Sequence, residues 1–237
     1  MSDNINIVLV NTSHPGNIGS TARAMKTMGL KKLKLVNPKN YPSKVADAKA
    51  VGCIDVLENA SIYDSIDKAI AKSRLVVGLS ARSRKSNIPS LSLKELMILI
   101  QNHLNNEISI LFGNEQSGLS NEELLRCNYL VSIPTDKSYT SLNLSAAVQI
   151  FSYEYFMSQS GPDKKLIHTE EPASFSSKKH LIDNFILIMK MLNMFSVKNE
   201  KSLTQNIHII FNKTQFTNKE INLYSGVITK IKNALKK

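Results

Sequence analysis

Short apolar runs rich in β-branched residues alternate along the first two thirds of the chain with longer segments of helical period. Ile5–Val10, Lys32–Val36, Leu75–Leu79, Ile108–Phe112 and Tyr129–Ile133 read as strands. They are nearly unbroken hydrophobic runs, the pattern of strands covered on both faces of a parallel sheet rather than alternating ones. Between them, apolar positions recur at helical spacing over about 18–28, 63–71, 93–104, 121–126 and 142–157. Ser92 with Glu95 and Ser120 with Glu123 form capping boxes, in which a hydroxyl and a carboxylate satisfy amides left open at a helix start. Strand–helix alternation of this kind predicts an α/β fold, with a mostly parallel sheet and helices on both faces.

The pattern changes after Met157. Residues 158–177 are polar and turn-forming, as a linker would be. Beyond them Leu181, Phe185, Ile188 and Leu192 share a helical spacing, as do Ile221, Tyr224, Ile228, Ile231 and Leu235, and Thr217 with Glu220 makes another capping box. The organisation expected is a domain over 1–157, a linker over 158–177 and a small α-helical extension of about three helices over 178–237. So small a bundle buries little surface alone, so it is expected to pack on the main domain or on a second subunit.

Charge sharpens this division. The 237-residue chain has a formal net charge of +11, and residues 178–237 hold 11 lysines against Asp183, Glu200 and Glu220, so most of the excess lies in the extension. A basic segment suits a polyanion such as nucleic acid or an anionic membrane surface; a solvated Lys-rich face accounts for it equally well. Hydrophobic residues make up 42%, with 6% aromatics and no Trp, so the core must be aliphatic. No apolar stretch approaches the roughly 20 residues that cross a bilayer, and the start of the chain lacks a secretory pattern. Cys53 and Cys127 read as small core residues in a reducing compartment. A soluble, cytoplasmic protein without a membrane role is expected.

Several chemistries lack their signatures. There is no Gly-x-Gly-x-x-Gly after the first strand, no Gly-Lys-Ser/Thr loop and no Gly-x-Ser-x-Gly elbow. The five histidines are scattered, with no pair at ligand spacing, so no metal is expected. Unusual polar segments follow strands instead. Asn11–Gly19 runs into a helix carrying Arg23; its small and polar residues leave backbone amides open at a helix N-terminus, which favours an anion. With that helix starting near Ile18, Arg23 lies about one and a half turns in and can reach back to the same mouth. Gly113-Asn114-Glu115-Gln116-Ser117-Gly118 places a carboxylate between two glycines at a strand's carboxyl end, where open α/β sheets bind ligands. Tyr139–Ser145 crowds hydroxyls and amides at a helix start, and Ser141 with Asn143 exceeds what a cap needs. A weaker feature is Leu79-Ser80-Ala81 before the basic run Arg82-Ser83-Arg84-Lys85. An ordinary turn, loop, cap or solvated charge run accounts for any one of these taken alone.

Taken in order, Val10-x-Thr12-Ser13-His14-x-Gly16-Asn17-Ile18-Gly19-Ser20-x-Ala22-Arg23-Ala24, Phe112-Gly113-x-Glu115-x-x-Gly118-Leu119 and Ser141-Leu142-Asn143-Leu144-Ser145 resemble the three motifs of the knotted SPOUT-type RNA 2′-O-ribose methyltransferases. More narrowly, the chain is similar to the bacterial tRNA enzymes that methylate cytidine or uridine 32 of the anticodon loop. The resemblance extends to about residue 157, and a helical extension also fits. It implies a C-terminal trefoil knot, a homodimer with the site near the subunit interface, tRNA as partner and S-adenosylmethionine as cofactor. It places that cofactor against Leu79, Ser80, Ala81, Gly113, Ile133, Thr140, Ser141 and Leu142. It assigns catalysis to Arg23, Ser141, Asn143 and Glu115, with His14, Asn17, Arg82, Arg84 and Lys85 as RNA contacts. Positions at which relatives carry Arg are the neutral Asn114 and Gln116 here. A non-catalytic RNA-binding scaffold of the same fold, a nucleotide-cofactor oxidoreductase, and a methyltransferase for another tRNA position or ribosomal RNA are the competing readings.

Overall fold

The computed structural model describes residues 4–80, 87–103, 105–159, 171–196 and 198–235. Its seven strands are β1 (Ile5–Val10), β2 (Lys32–Val36), β3 (Ser61–Tyr63), β4 (Leu75–Leu79), β5 (Ser90–Leu91), β6 (Ile108–Phe112) and β7 (Tyr129–Val131). They form one sheet in the order β3-β2-β1-β6-β4-β7-β5, and every pairing is parallel. The helices between them are α1 (Pro15–Thr27), α2 (Lys44–Ala50), α3 (Ile54–Glu58), α4 (Ile66–Ile70), α5 (Leu93–Gln101) and α6 (Asn121–Leu124), with α7 (Leu144–Ser158) after β7.

Alternate residues of the central strands feed two cores, as the pleat requires. Ile5, Ile7 and Leu9 of β1 pack with Leu75, Val77, Ile108 and Ile110 against Ile18, Met25, Leu96, Ile100, Val148 and Phe151, residues of α1, α5 and α7. Val8, Val10, Val76 and Leu111 face the other way, toward Ile66 and Ile70 of α4 and Leu124 of α6. All six residues of β1 are buried, Asn6 among them, which is why the strand reads as a nearly unbroken apolar run. Helix α1 lies so close to α2 that a Cβ on Gly19 would stand 2.0 Å from the Ala46 carbonyl oxygen.

The three capping boxes form as the sequence spacing predicts. Several boundaries differ. Helix α1 starts at Pro15, three residues before the expected position, because His14 serves as its N-cap: its Nδ1 accepts from the Gly16 amide at 3.1 Å. Helix α7 starts at Leu144, capped by Asn143, whose side-chain oxygen accepts from the Ser145 amide. The segment expected as a helix from Tyr63 begins with the edge strand β3, and α4 follows only at Ile66.

Three further helices follow: α8 (Phe175–Met191), α9 (Glu200–Lys213) and α10 (Asn218–Ala234). Leu181 and Ile188 meet Ile221 and Ile228 in a core of their own, and Phe185, Phe211, Phe216 and Tyr224 form a chain of ring contacts. This bundle docks on the sheet domain of its own chain. Phe175 enters the second core beside α4 and α6, and the Phe175 amide donates to the Ser73 carbonyl at 2.8 Å. Asn128 and Asn212 bridge the two parts, with Asn128 Nδ2 donating to the Asn212 carbonyl at 2.9 Å and Asn212 Nδ2 to the Leu125 carbonyl at 2.6 Å.

Candidate active site

The topology decides where the polar segments meet. Strands β1, β6, β4 and β7 are successive neighbours and run in one direction. Their carboxyl ends therefore lie side by side within about 15 Å, at roughly 4.8 Å per strand. Those ends carry the turns at Asn11–His14, Gly113–Gly118, Leu79–Ser80 and Ser132–Asn143. Segments more than a hundred residues apart are thus adjacent by construction, at the edge where open α/β sheets take ligands.

A carboxylate ties the first two turns together. Glu115 accepts from the Ser13 amide at 2.9 Å, the Ser13 hydroxyl at 2.8 Å, the His14 amide at 3.2 Å and Asn17 Nδ2 at 2.9 Å. The third joins through Asn143, whose Nδ2 donates to Asn17 Oδ1 at 3.1 Å. Asn114 Nδ2 adds a bond to the Asn11 carbonyl at 2.7 Å, and its side-chain oxygen accepts from the Gln116 amide. The anion that the open end of α1 attracts is thus supplied by the chain itself: the Glu115 carboxylate sits on amides at the helix start, where the helix field favours negative charge.

These bonds outweigh the opposing effect of burial and hold Glu115 at about 2, the bonds from Asn17 and Ser13 being the main cause. A carboxylate whose affinity for a proton falls on folding stabilises the fold above its unfolded value and ceases to do so as pH drops through the folded one. The expected stability difference between the wild type and Glu115→Gln is therefore constant from pH 8 to about 5. It should shrink between about 4.5 and 2; urea titrations across that range measure it.

The two glycines serve the loop itself. A Cβ at Gly113 would lie 2.1 Å from the Gly118 carbonyl carbon and the Leu119 nitrogen, so the loop folds directly against the end of β6. Gly118 has φ +67°, a conformation that glycine adopts without strain. Beside this loop is a cavity of about 250 Å³. Leu79, Phe112, Ile133, Leu142, Leu144 and Ala147 give it apolar walls, and Ser80, Glu115, Thr140 and Ser141 add polar groups. Of the residues expected around a cofactor, Leu79, Ser80, Gly113, Ile133, Thr140, Ser141 and Leu142 all line it. Ala81, Arg82, Arg84 and Lys85 lie outside the described residues.

Arg23 does not line this cavity. It is exposed in an open groove of about 820 Å³ between α1, α2 and the first turns of α7, with Ser20, Thr27, Lys49, Ser145, Ala146 and Gln149 among its walls. The early start of α1 accounts for this: counted from Pro15, Arg23 is about two turns into the helix, beyond the mouth that a start near Ile18 would have placed within reach. His14 is exposed. Its Nδ1 is committed as an acceptor from the Gly16 amide. Asn17 is engaged on both sides, by Glu115 and Asn143. Sequence reasoning did not foresee that Ser13 donates twice to Glu115, or that Phe112 and Ala147 line the cavity; the polar first turn and the first motif were the signals for Ser13. Among the described residues no group of three or more His, Cys, Asp or Glu could hold a metal ion, and no helix is long and apolar enough to cross a membrane.

A parallel α/β sheet with a ligand-sized cavity at its carboxyl edge, closed by three interlocked polar turns, defines a class of small-molecule-binding enzyme folds. The SpoU rRNA Methylase family model matches residues 4–153, and the chain belongs to that family. Among its relatives, the tRNA (cytidine/uridine-2′-O-)-methyltransferase TrmJ of Sodalis glossinidius is 39% identical over 100% of this chain and 94% of that protein. The tRNA (cytidine/uridine/adenosine-2′-O-)-methyltransferase TrmJ of Pseudomonas aeruginosa is 36% identical over 97% of this chain and 94% of that protein. The crystal structure of TrmJ from Z. mobilis superposes with a TM-score of 0.87 at 25% identity, covering 96% of this chain and 98% of that one.

Proposed function

We propose that the chain is an S-adenosylmethionine-dependent tRNA ribose 2′-O-methyltransferase of the cytoplasm, acting on cytidine or uridine 32. The observation that carries this reading is the joining of the three family motifs, through Glu115, Asn17 and Asn143, beside a single cavity. Similarity to tRNA 2′-O-methyltransferases over the whole length, extension included, favours tRNA over ribosomal RNA.

The cavity fits the cofactor. Its volume of about 250 Å³ lies just below the usual range for small-molecule sites, about 300–1,000 Å³. Apolar walls from Leu79, Ile133 and Leu142 suit an adenine ring, and the hydroxyls of Thr140 and Ser141, both exposed, suit polar ends. When bound, S-adenosylmethionine supplies an electrophilic methyl group for in-line displacement by the ribose oxygen. Asn143 and Asn17 fix the spacing of the turns that frame the cavity mouth, and this alignment lowers the entropic part of the barrier. Arg23 holds a substrate phosphate and steadies the charge that develops on the 2′-oxygen. It does not take the proton, because guanidinium stays protonated in proteins. Glu115 does not take it either, being held at about 2 with both oxygens engaged. The hydroxyl proton passes to solvent. His14, which is exposed, and Arg82, Arg84 and Lys85 contribute RNA contacts.

Arg23 would meet a ribose at the cavity across a homodimer. Tyr153 and Met157 present outward apolar side chains on α7, each about half exposed, on the helix that walls the Arg23 groove. A partner seated there would bring its own cavity mouth toward this guanidinium. The chain after β7 would pass through the trefoil knot of the family, and the organisation would be a catalytic domain over 1–157, a linker over 158–177 and a helical extension over 178–237. Calorimetry with S-adenosylmethionine tests the reading: binding is expected at one site per chain, suppressed by a bulky residue at Ala147. Absence of binding would leave an RNA-binding scaffold and overturn the enzyme.

A further inference from the structure

We propose that Tyr139 is a stacking platform for an unpaired base of the RNA next to the ribose that is methylated. The proposal rests on the methyltransferase reading and adds a substrate-positioning residue outside the three motif cores. Tyr139 is the most exposed large apolar side chain among the described residues, at 76%. It takes no part in either core of the sheet domain. An aromatic ring left in water gains nothing for the fold, since its area is buried only when something covers it.

Its position states what should cover it. Tyr139 immediately precedes Thr140, Ser141 and Leu142, all of which line the cavity, so it lies next in the chain to the wall that a substrate ribose must approach. The loop presents the ring from a defined turn. The Tyr139 amide donates to the Asp136 carbonyl at 3.2 Å, and the Asp136 carboxylate accepts from the Ser138 amide at 2.8 Å and from the Ser138 hydroxyl. Proteins read loop RNA by splaying out unstacked bases against aromatic faces, a contact that is sequence-tolerant because every base has a π-face. A platform of this kind orients the strand without selecting one base. It serves an enzyme whose reacting group, the 2′-hydroxyl, is the same on every nucleotide.

The chain contains no tryptophan, so Tyr139→Trp introduces a lone fluorescent reporter at this position. Saturating tRNA is expected to quench its emission, S-adenosylmethionine alone to leave it unchanged, and methylation to continue. Tyr139→Ala is expected to raise KM for tRNA by about 5- to 100-fold, the usual cost of losing one stacked base. Affinity for S-adenosylmethionine should stay within about twofold, and Tyr139→Phe should restore KM. Wild-type KM in Tyr139→Ala, emission unmoved by tRNA that filter retention shows to be bound, or quenching by the cofactor alone would each overturn the proposal. Those outcomes leave wild-type methylation intact. A wild type that neither binds nor methylates tRNA would sink the function and the proposal with it.

Discussion

Arg23→Ala is expected to reduce methyl transfer by at least about 10²- to 10³-fold while leaving S-adenosylmethionine binding within about twofold. That magnitude is the usual cost of removing one group that stabilises charge developing on oxygen in the transition state. Binding should survive because Arg23 does not line the cavity, and folding should survive because the side chain is exposed and makes no hydrogen bond or ion pair among the described residues. Arg23→Lys should recover only a small part of the rate, since a point charge cannot reproduce the planar guanidinium fork. Single-turnover assays with saturating tRNA and cofactor separate the rate from binding. Mixing Arg23→Ala chains with chains disabled at Ala147 adds a test of the dimer. If Arg23 acts across the interface, each mixed dimer retains one intact site and activity returns.

Glu115→Ala and Glu115→Gln are expected to be nearly equally damaging, each lowering methyl transfer by about 30- to 1,000-fold, from roughly 2–4 kcal/mol of lost charge-assisted hydrogen bonding. Four donors converge on this carboxylate: the Ser13 amide and hydroxyl, the His14 amide and Asn17 Nδ2. Alanine leaves them all unpaired. Glutamine keeps the shape but points an NH₂ group at donors, so it cannot substitute despite its size. A general base would behave differently, with a pH–rate profile titrating near the carboxylate value. With Glu115 held at about 2, no such limb is expected between pH 5 and 8. Loss of activity should instead accompany a looser first turn, seen as faster amide exchange at Ser13 and His14.

The central strands could be read from the chain because burial on both faces leaves nearly unbroken apolar runs, interrupted by Asn6 in β1 and Ser109 in β6. The edge strands β3 and β5 are three and two residues long, too short for any periodicity, and only their pairing with β2 and β7 defines them. Helix α2 was hidden for a related reason: its buried face is alanine, Ala46 and Ala50, with the Ala46 carbonyl close to Gly19. Hydroxyl-first capping boxes were legible, whereas an imidazole cap was not. That single miss at His14 displaced the start of α1 and, with it, the expected reach of Arg23. Strand order lies beyond pattern reading altogether. Without it, nothing in the sequence shows that Glu115 would find Ser13, His14 and Asn17 across about a hundred residues.

The most direct test of the account is a map of ribose methylation across all tRNAs from cells with and without the gene. The proposed function predicts that one 2′-O-methyl group, on cytidine or uridine 32 of a subset of tRNAs, disappears in the deletion and returns with the wild-type gene but not with Arg23→Ala. A methylation map identical in both strains would contradict it.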